Sequence, residues 1–177
     1  MKFKFDKAIF LPFTLTAAII AIDQTVKALI VKNWPIVPPQ DFTFIKDLFG
    51  NGLVQFYHVR NRAIAFSLGH NLPDFIKPPL FVVLPLIVLG LLIWYYVRST
   101  DFKPCQRWAV AGIIGGGIGN IIDRIFRPDG VVDYISVYFF NIFGWERWPT
   151  FNIADASVVL SCIFLFITII FTTRKEA

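Results

Sequence analysis

Asp133 and Asp155 are the two residues whose type and spacing point most directly to chemistry. Asp133 lies in a run of β-branched and aromatic residues after the turn-like segment 127–130, and Asp155 lies at the start of a long apolar stretch. The two carboxylates therefore flank one loop. Two carboxylates within a few Å at a partly dehydrated boundary cannot both ionise easily, so one keeps a proton while the other acts as a base. This is the arrangement of an aspartic protease, and it predicts hydrolysis by proton transfer.

Each aspartate also has an ordinary structural interpretation. Asp155 falls in the first turn of a predicted helix, where the helix dipole favours a negative charge, and Asp133 is placed to form a salt bridge within a loop. Either residue alone would be unremarkable. The chemical hypothesis depends on the two being brought together.

Other reactive groups are few. His58 and His70 are the only histidines and have no metal-binding spacing, and no serine lies in a nucleophile motif. Cys105 and Cys162 are the only cysteines, which excludes a disulfide framework and a thiol-based metal site. We therefore expect no metal and no other cofactor.

The composition places these residues in a membrane protein. Of the 177 residues 56% are hydrophobic and only 16% are charged, whereas charged residues make up roughly a quarter of a soluble domain. The net charge of +5 comes from short basic clusters beside apolar runs, which are topology signals in membrane proteins. Nucleic-acid binding is therefore not expected.

Four apolar stretches are long enough to cross a bilayer. We predict transmembrane spans at 8–31, 76–97, 108–126 and 153–173 within a single domain, 1–177. The short segments outside these spans carry eight basic residues, namely Lys2, Lys4, Lys7, Arg98, Lys103, Arg107, Arg174 and Lys175. The positive-inside rule then puts both termini in the cytoplasm and the two long loops, with Asp133 and Asp155, on the outer face.

The two long loops carry β-strand signals. In the first, the β-prone runs 42–45 and 53–59 are separated by Gly50-Asn51-Gly52, which is typical of a hairpin turn. In the second, 131–140 is rich in β-branched and aromatic residues and can add a strand. The predicted fold class is thus an α-helical integral membrane protein with four transmembrane helices and a small outer β-sheet. The aromatic residues of 139–148 are candidates for an interfacial belt.

Charged residues inside or beside the spans leave alternatives open. Asp23 and Lys27 are four residues apart on one helix face, which suits a simple ion pair or a polar cavity. Asp123 and Arg124 at the end of the third span are either an interfacial ion pair or residues that hold a bound peptide backbone. Spacing alone does not decide between these readings.

Small and amide residues complete the pattern. Asn61, Asn120 and Asn152 lie near the same predicted boundary, where each can cap a turn or hydrogen-bond an extended peptide. The third span contains five glycines, Gly112, Gly115, Gly116, Gly117 and Gly119. We interpret them as a packing surface for neighbouring helices, because glycines inside a span cannot form a nucleotide-binding loop.

Taken in order, these residues resemble the lipoprotein signal peptidases, also called signal peptidase II, bacterial enzymes that remove signal peptides from lipid-modified prolipoproteins. The resemblance runs through all four predicted spans. It rests on Asp23-Gln24 with Lys27, Asn61 with Ala65-Phe66, Gly119-Asn120, Asp123-Arg124, Gly130-Val131-Val132-Asp133 and Phe151-Asn152 with Ala154-Asp155. Two features depart from the family pattern: Ala63 stands where the family usually has glycine, and the loop 139–148 is longer than expected.

The resemblance implies an aspartic endopeptidase of the bacterial inner membrane. Asp133 and Asp155 would be its catalytic pair, one deprotonating a water and the other protonating the developing oxyanion and then the leaving amine. Residues that would bind substrate or orient the pair are Asn61, Asn120, Arg124 and Asn152, and those with a stabilising role are Asp23, Lys27 and Asp123. The implied partners are membrane lipids and prolipoproteins cut just before a diacylglyceryl-modified cysteine, and a monomer is expected.

Two other functions compete with this one. A small transporter or channel subunit would use Asp23, Lys27, Asp123 and Asp155 as an ion or proton relay. Such sites usually lie near the membrane midplane between repeated halves, whereas these charges cluster at one boundary and the sequence has no repeat. A non-catalytic membrane assembly factor would use the glycine surface but would leave the paired aspartates unexplained.

Overall fold

The computed structural model describes residues 6–37, 46–62, 72–73 and 75–176, with 172–176 by their backbone alone. The helices are α1 (Lys7–Phe10), α2 (Phe13–Asn33), α3 (Leu84–Arg98), α4 (Pro104–Phe126) and α5 (Ile153–Glu176), and a π-helical turn, Pro79–Val83, precedes α3. The strands are β1 (Lys46–Asp47), β2 (Val54–Asn61), β3 (Val131–Ile142) and β4 (Trp145–Arg147). The predicted class, four long apolar helices with a small sheet, is confirmed.

The four long helical segments are Lys7–Asn33, Pro79–Arg98, Pro104–Phe126 and Ile153–Phe171. The third begins four residues before the predicted start at Trp108. Pro104 occupies its first position, where a missing N–H costs nothing, and the Gln106 side chain accepts from the Lys103 N–H at 2.9 Å. Cys105 therefore lies in the first turn of α4.

Helix α4 is the centre of the bundle. In its most apolar stretch 61% of the residues are buried, against at most 17% in the other three spans. Its glycines explain the close packing: a Cβ on Gly116 would collide with the carbonyl oxygen of Ala154, and one on Gly115 would lie 3.2 Å from that of Thr16. The prediction of a glycine packing surface is confirmed.

The strands form one antiparallel sheet in the order β1-β2-β3-β4. Strand β3 pairs with β2, as predicted, with Val131 opposite Asn61 and Asp133 opposite Val59. The turn before β3 closes with a 3.0 Å bond from the Gly130 N–H to the Arg127 carbonyl, and Gly130 has a φ of 98°. The predicted strand 42–45 lies outside the described residues; the strand observed beside β2 is β1.

The sheet is fixed to the ends of the helices at one side of the bundle. Val132 and Tyr134 of β3 pack with Ile30 of α2 in a buried cluster. Phe151, just before α5, forms a β-bridge with Ile135, with N–H···O distances of 2.8 and 2.9 Å. This bridge brings the first turn of α5 alongside the first half of β3, which is where the two aspartates lie.

Candidate functional site

Asp133 is a buried carboxylate on β3, only 2% exposed. Its Oδ2 accepts from the Asn61 amide at 3.0 Å, and its Oδ1 accepts from the Asn152 amide at 2.7 Å. The contact with Asn61 follows from strand register, because Asn61 lies opposite Val131 and is thus a diagonal neighbour of Asp133 on the same face. Two amides from different elements fix the orientation of this carboxylate.

Asp155 lies in the first turn of α5 and is held by the helix start itself. Its Oδ2 accepts from the Asn152 backbone N–H at 3.1 Å, while the Asn152 side-chain oxygen accepts from the Asp155 N–H at 2.9 Å. This is a reciprocal cap of the kind that satisfies free N–H groups at a helix start. The helix-start interpretation of Asp155 is therefore correct, and it also gives this carboxylate a fixed position.

Asn152 connects the two carboxylates. Its side-chain amide donates to Asp133, and its backbone N–H donates to Asp155, so both acids contact one fully buried residue. Asn120 of α4 adds a second donor to Asp155, at 2.7 Å. The structure thus brings together the two predicted catalytic aspartates and the three predicted asparagines, from four separate elements of the chain.

Lys27 determines which way the Asn120 amide points. Its ammonium lies 3.0 Å from Asn120 Oδ1, and because an ammonium can only donate, the oxygen must face it. The Asn120 nitrogen is then left to donate to Asp155, while its oxygen also accepts from Asn152 at 3.1 Å. A lysine on α2 thereby controls a hydrogen bond to a carboxylate on α5.

A buried ion network lies behind the asparagines. Lys27 is 2.8 Å from Asp23 and 3.1 Å from Asp123, and all three side chains are 0% exposed. Asp23 accepts from the Ala154 N–H and Asp123 from the Val132 N–H, both at 3.1 Å. These bonds tie α2 and α4 to the starts of α5 and β3, so the stabilising role expected of Asp23, Lys27 and Asp123 has a physical basis.

Of the two readings left open for Asp123 and Arg124, the structure argues against the interfacial ion pair. Asp123 points inward and pairs with Lys27 and, at 3.1 Å, with Arg127. Arg124 donates a long hydrogen bond, 3.4 Å, to the Asn120 carbonyl. Successive residues of a helix point about 100° apart, so one can face the core while the next faces a cleft.

Arg124 and Asn61 line a cleft of about 330 Å³, and Asn61 connects it to Asp133, which does not itself line the cleft. Its wall continues to Phe81 and Val82, which precede α3 and extend the cleft along a membrane span. The cleft therefore joins polar groups at the bundle end to apolar groups at membrane depth. That combination suits a ligand that is part peptide and part hydrocarbon.

The surroundings of Asp133 disfavour its charge. Burial, as the larger cause, and the nearby carboxylate of Asp155 together raise the pKa of Asp133 to about 7, against the lowering effect of the hydrogen bonds from Asn61 and Asn152 and of the Lys27 charge. A proton on Asp133 at neutral pH is the expected consequence.

In the part of the chain that the structure describes, no three His, Cys, Asp or Glu side chains converge as a bound metal would require.

Two residues near the aspartates, Gln24 and Tyr134, were not predicted from the sequence as site residues. Gln24 donates to the Gly119 carbonyl at 2.9 Å and to Asp123 at 3.1 Å, which joins α2 to α4 beside the ion network. Tyr134 is buried between β3 and α2, next to Asp133 in sequence. A polar residue next to Asp23 was the available signal for Gln24. The family positions at Ala63 and at Ala65-Phe66 lie outside the described residues.

A family model and individual relatives point to the same family of known proteins. The family model described as signal peptidase (SPase) II matches residues 15–171. A lipoprotein signal peptidase of Treponema pallidum is 41% identical over 173 residues, covering 98% of this chain and 89% of the relative. One of Treponema denticola is 41% identical over 170 residues, covering 96% and 94%. A solved bacterial membrane enzyme, 23% identical, has the same fold, with a TM-score of 0.76 over 94% of this chain and 92% of that one.

Proposed function

The chain belongs to the signal peptidase II family and is a peptidase, and we propose that it removes signal peptides from prolipoproteins as an aspartic endopeptidase using Asp133 and Asp155. One observation carries the catalytic assignment: the buried carboxylate of Asp133 and the partly buried carboxylate of Asp155 are both held by Asn152, through its side chain and its backbone. The substrate class is supported by relatives named lipoprotein signal peptidase that are 41% identical over nearly the whole chain.

The environments of the two acids support different roles. We assign Asp155 as the base because it lies in the first turn of α5, where the helix dipole favours a negative charge. Asp133, with its raised pKa, is the acid. Asp155 takes a proton from water as the hydroxyl adds to the scissile carbonyl carbon, and Asp133 protonates the carbonyl oxygen. Asp155 then protonates the amine nitrogen, Asp133 recovers its proton from the tetrahedral adduct, and the C–N bond breaks.

Substrate binding is assigned to the groups around the pair. Arg124 in the cleft is placed to hold the extended peptide at its backbone carbonyls, and Asn61, Asn120 and Asn152 orient the carboxylates. The apolar wall at Phe81 and Val82 suits the hydrocarbon part of the substrate. We assign the cut to the bond just before the diacylglyceryl-modified cysteine.

We assign the orientation of the chain in the membrane from the distribution of its basic residues. Basic residues at the chain ends and between α3 and α4 support cytoplasmic termini, with the sheet and the aspartates at the outer face of the bacterial inner membrane. This is the side on which a translocated prolipoprotein presents its cut site. A single chain supplies every group assigned here, so the working unit is a monomer.

The substrate's lipid is expected to act by positioning. Each buried CH₂ contributes roughly 0.8 kcal/mol of membrane anchoring, so a diacylglyceryl group fixes the depth of the scissile bond. One prolipoprotein is prepared with and without the lipid, and the purified protein should cleave the form without lipid at least about tenfold more slowly. This ratio corresponds to a difference of about 1.4 kcal/mol in transition-state free energy. Equal rates in one detergent preparation would remove the support for a lipid-dependent substrate class.

The rate should also depend on pH in one direction. The raised pKa of Asp133, about 7, means that its proton is lost as the pH rises through neutrality. Cleavage should therefore fall above pH 7, approaching about a tenfold loss per pH unit. Initial rates from pH 5 to 9, with the folded fraction checked at each pH, measure this. A rate that stays constant up to pH 9 would show that Asp133 is not the acid.

A further inference from the structure

The end of the sheet farthest from the helices carries an unusual surface. Two turns meet there, one between β1 and β2 and one between β3 and β4, because Val54 lies opposite Val137. Large apolar side chains on these turns are exposed. We call them the tip surface: Leu48, Phe49, Leu53, Phe140, Ile142, Phe143 and Trp145.

The exposure of the tip surface is large for side chains of this size. Phe143 is 91% exposed, Phe140 66% and Phe49 63%. Single exposed apolar residues are common on proteins, but a contiguous apolar patch usually marks an interaction site. Two separate turns contribute side chains to the tip surface, so the backbone conformation of either turn alone does not explain why the surface is apolar.

The backbone of the second turn supports the same conclusion. Phe140 and Phe143 have φ values of 55° and 56°, in the left-handed region that bulky residues rarely adopt. Glycine or asparagine would be easier to place at both positions. The phenyl rings therefore serve a purpose outside the turn itself.

Two nearby charges are directed away from the tip surface. The Asp47 carboxylate accepts from the N–H groups of Phe49, Gly50 and Gly52 inside the first turn. The Arg147 guanidinium binds the Gly52 carbonyl and the Ser136 side chain at 2.8 Å each. Both charged groups thus stabilise the turns from within, while the exposed charges of Lys46 and Glu146 lie on the strands that flank the turns.

The bilayer surface is within reach of the tip surface. Strand β3 is tied at Ile135 to Phe151, two residues before the α5 span begins. From Ile135 to Phe140 an extended strand covers about 17 Å. A sheet lying along the membrane would bring the turns into the headgroup layer, which is about 5–8 Å thick on each side. An upright sheet would expose the tip surface to water.

The aromatic side chains form a continuous path between the tip and a membrane span. Trp145 contacts Trp148 with ring centroids 5.8 Å apart, and Trp148 contacts Phe139 at 4.9 Å. Trp148 precedes α5 by only a few residues. Rings of this kind are favoured at the membrane–water interface.

We propose that the tip surface is embedded in the interfacial layer of the same bilayer that holds the helices. Lipid is the occupant because the surface is apolar, aromatic and continuous with the lipid-facing spans. The contact would hold the sheet, and with it Asn61 and Asp133, at a fixed depth. This inference does not depend on the catalytic assignment.

Spin labels measure the depth directly. In a protein with Cys105 and Cys162 replaced by alanine, a nitroxide is attached at Phe143→Cys or Phe49→Cys, and the protein is placed in phosphatidylcholine vesicles. Asp129→Cys, on the exposed turn before β3, is the aqueous reference, and Leu160→Cys, exposed on α5, is the lipid reference. Collision with oxygen and with a water-soluble nickel chelate is recorded for each label.

We expect the labels at 143 and 49 to collide with the nickel chelate at least about threefold less than the label at 129, while their collision with oxygen is higher. Chelate collision equal to that at position 129 would mean that the surface lies in water. Low collision with both reagents would mean that protein covers it. Either of these results would overturn the proposal, and position 143 is so exposed that the label itself should not disturb folding.

Discussion

Replacing either Asp133 or Asp155 with asparagine is expected to abolish cleavage. The amide keeps the size of the carboxyl group but cannot exchange a proton with water or substrate. General acid and base groups each contribute about 10²–10⁴-fold to a rate, so either variant should lose at least two orders of magnitude. Initial rates on one lipidated prolipoprotein measure this. Asp129→Asn is the matched control, because that aspartate is exposed and forms a surface pair with Arg62.

The same variants should remain folded, which separates a catalytic from a structural role. The folded-state pKa of Asp133 is raised to about 7, so its contribution to stability is fully present below the unfolded-state pKa and is lost as the pH rises through 7. At pH 8 the buried charge is unfavourable, and Asp133→Asn removes it. Its melting temperature at pH 8 should therefore equal or exceed that of the unmodified protein. Substantial activity in either variant would exclude that residue from the catalytic pair.

The largest effect on stability is expected from Lys27→Met. The lysine is fully buried between Asp23 and Asp123, and its loss leaves two buried carboxylates without their shared cation. Removing one partner of a buried ion pair typically costs about 3–5 kcal/mol. The exposed lysine of the same helix, Lys32, is the control, since surface substitutions usually change stability by less than about 0.5 kcal/mol. Unfolding in one detergent, followed by loss of helical signal, compares the two variants.

A rescue experiment tests the cause of that effect. Adding Asp23→Asn and Asp123→Asn to Lys27→Met removes both unpaired charges, while the amide oxygens can still accept from the Ala154 and Val132 N–H groups. Part of the lost stability should return, because a neutral cluster avoids the cost of buried charge. A triple variant less stable than Lys27→Met would contradict the electrostatic explanation.

Much of the fold was predictable because its signals are local. Apolar stretches of membrane-spanning length gave the four spans, and the turn residues with the β-branched run gave the pairing of β3 with β2. Span boundaries were harder to place, as at α4, where Pro104 and the Gln106 cap start the helix ahead of its apolar stretch. Nothing in the sequence indicates that the β1–β2 turn and the β3–β4 turn meet in one apolar surface, since that depends on strand register.

The residues of the candidate site were predictable from the sequence, but the hydrogen bonds and ion pairs that connect them were not. The aspartates and asparagines could be named from their types and positions near one boundary. That Lys27 orients Asn120, and that Asn152 reaches both acids, depends on distances between α2, α4 and α5. The sequence left two readings of the Asp123-Arg124 dipeptide open, because spacing along the chain does not show that these adjacent helix residues point in different directions, with Asp123 in the ion network.

Cleavage of one lipidated prolipoprotein by the purified protein, with the cut mapped by mass spectrometry, tests directly whether Asp133 and Asp155 remove the signal peptide. We expect two products, the free signal peptide and a mature chain that begins at the diacylglyceryl-modified cysteine, from the unmodified protein and from Asp129→Asn. Asp133→Asn and Asp155→Asn should yield neither product. Cleavage at the same bond by either of the last two variants, or no cleavage by the unmodified protein, would contradict this expectation.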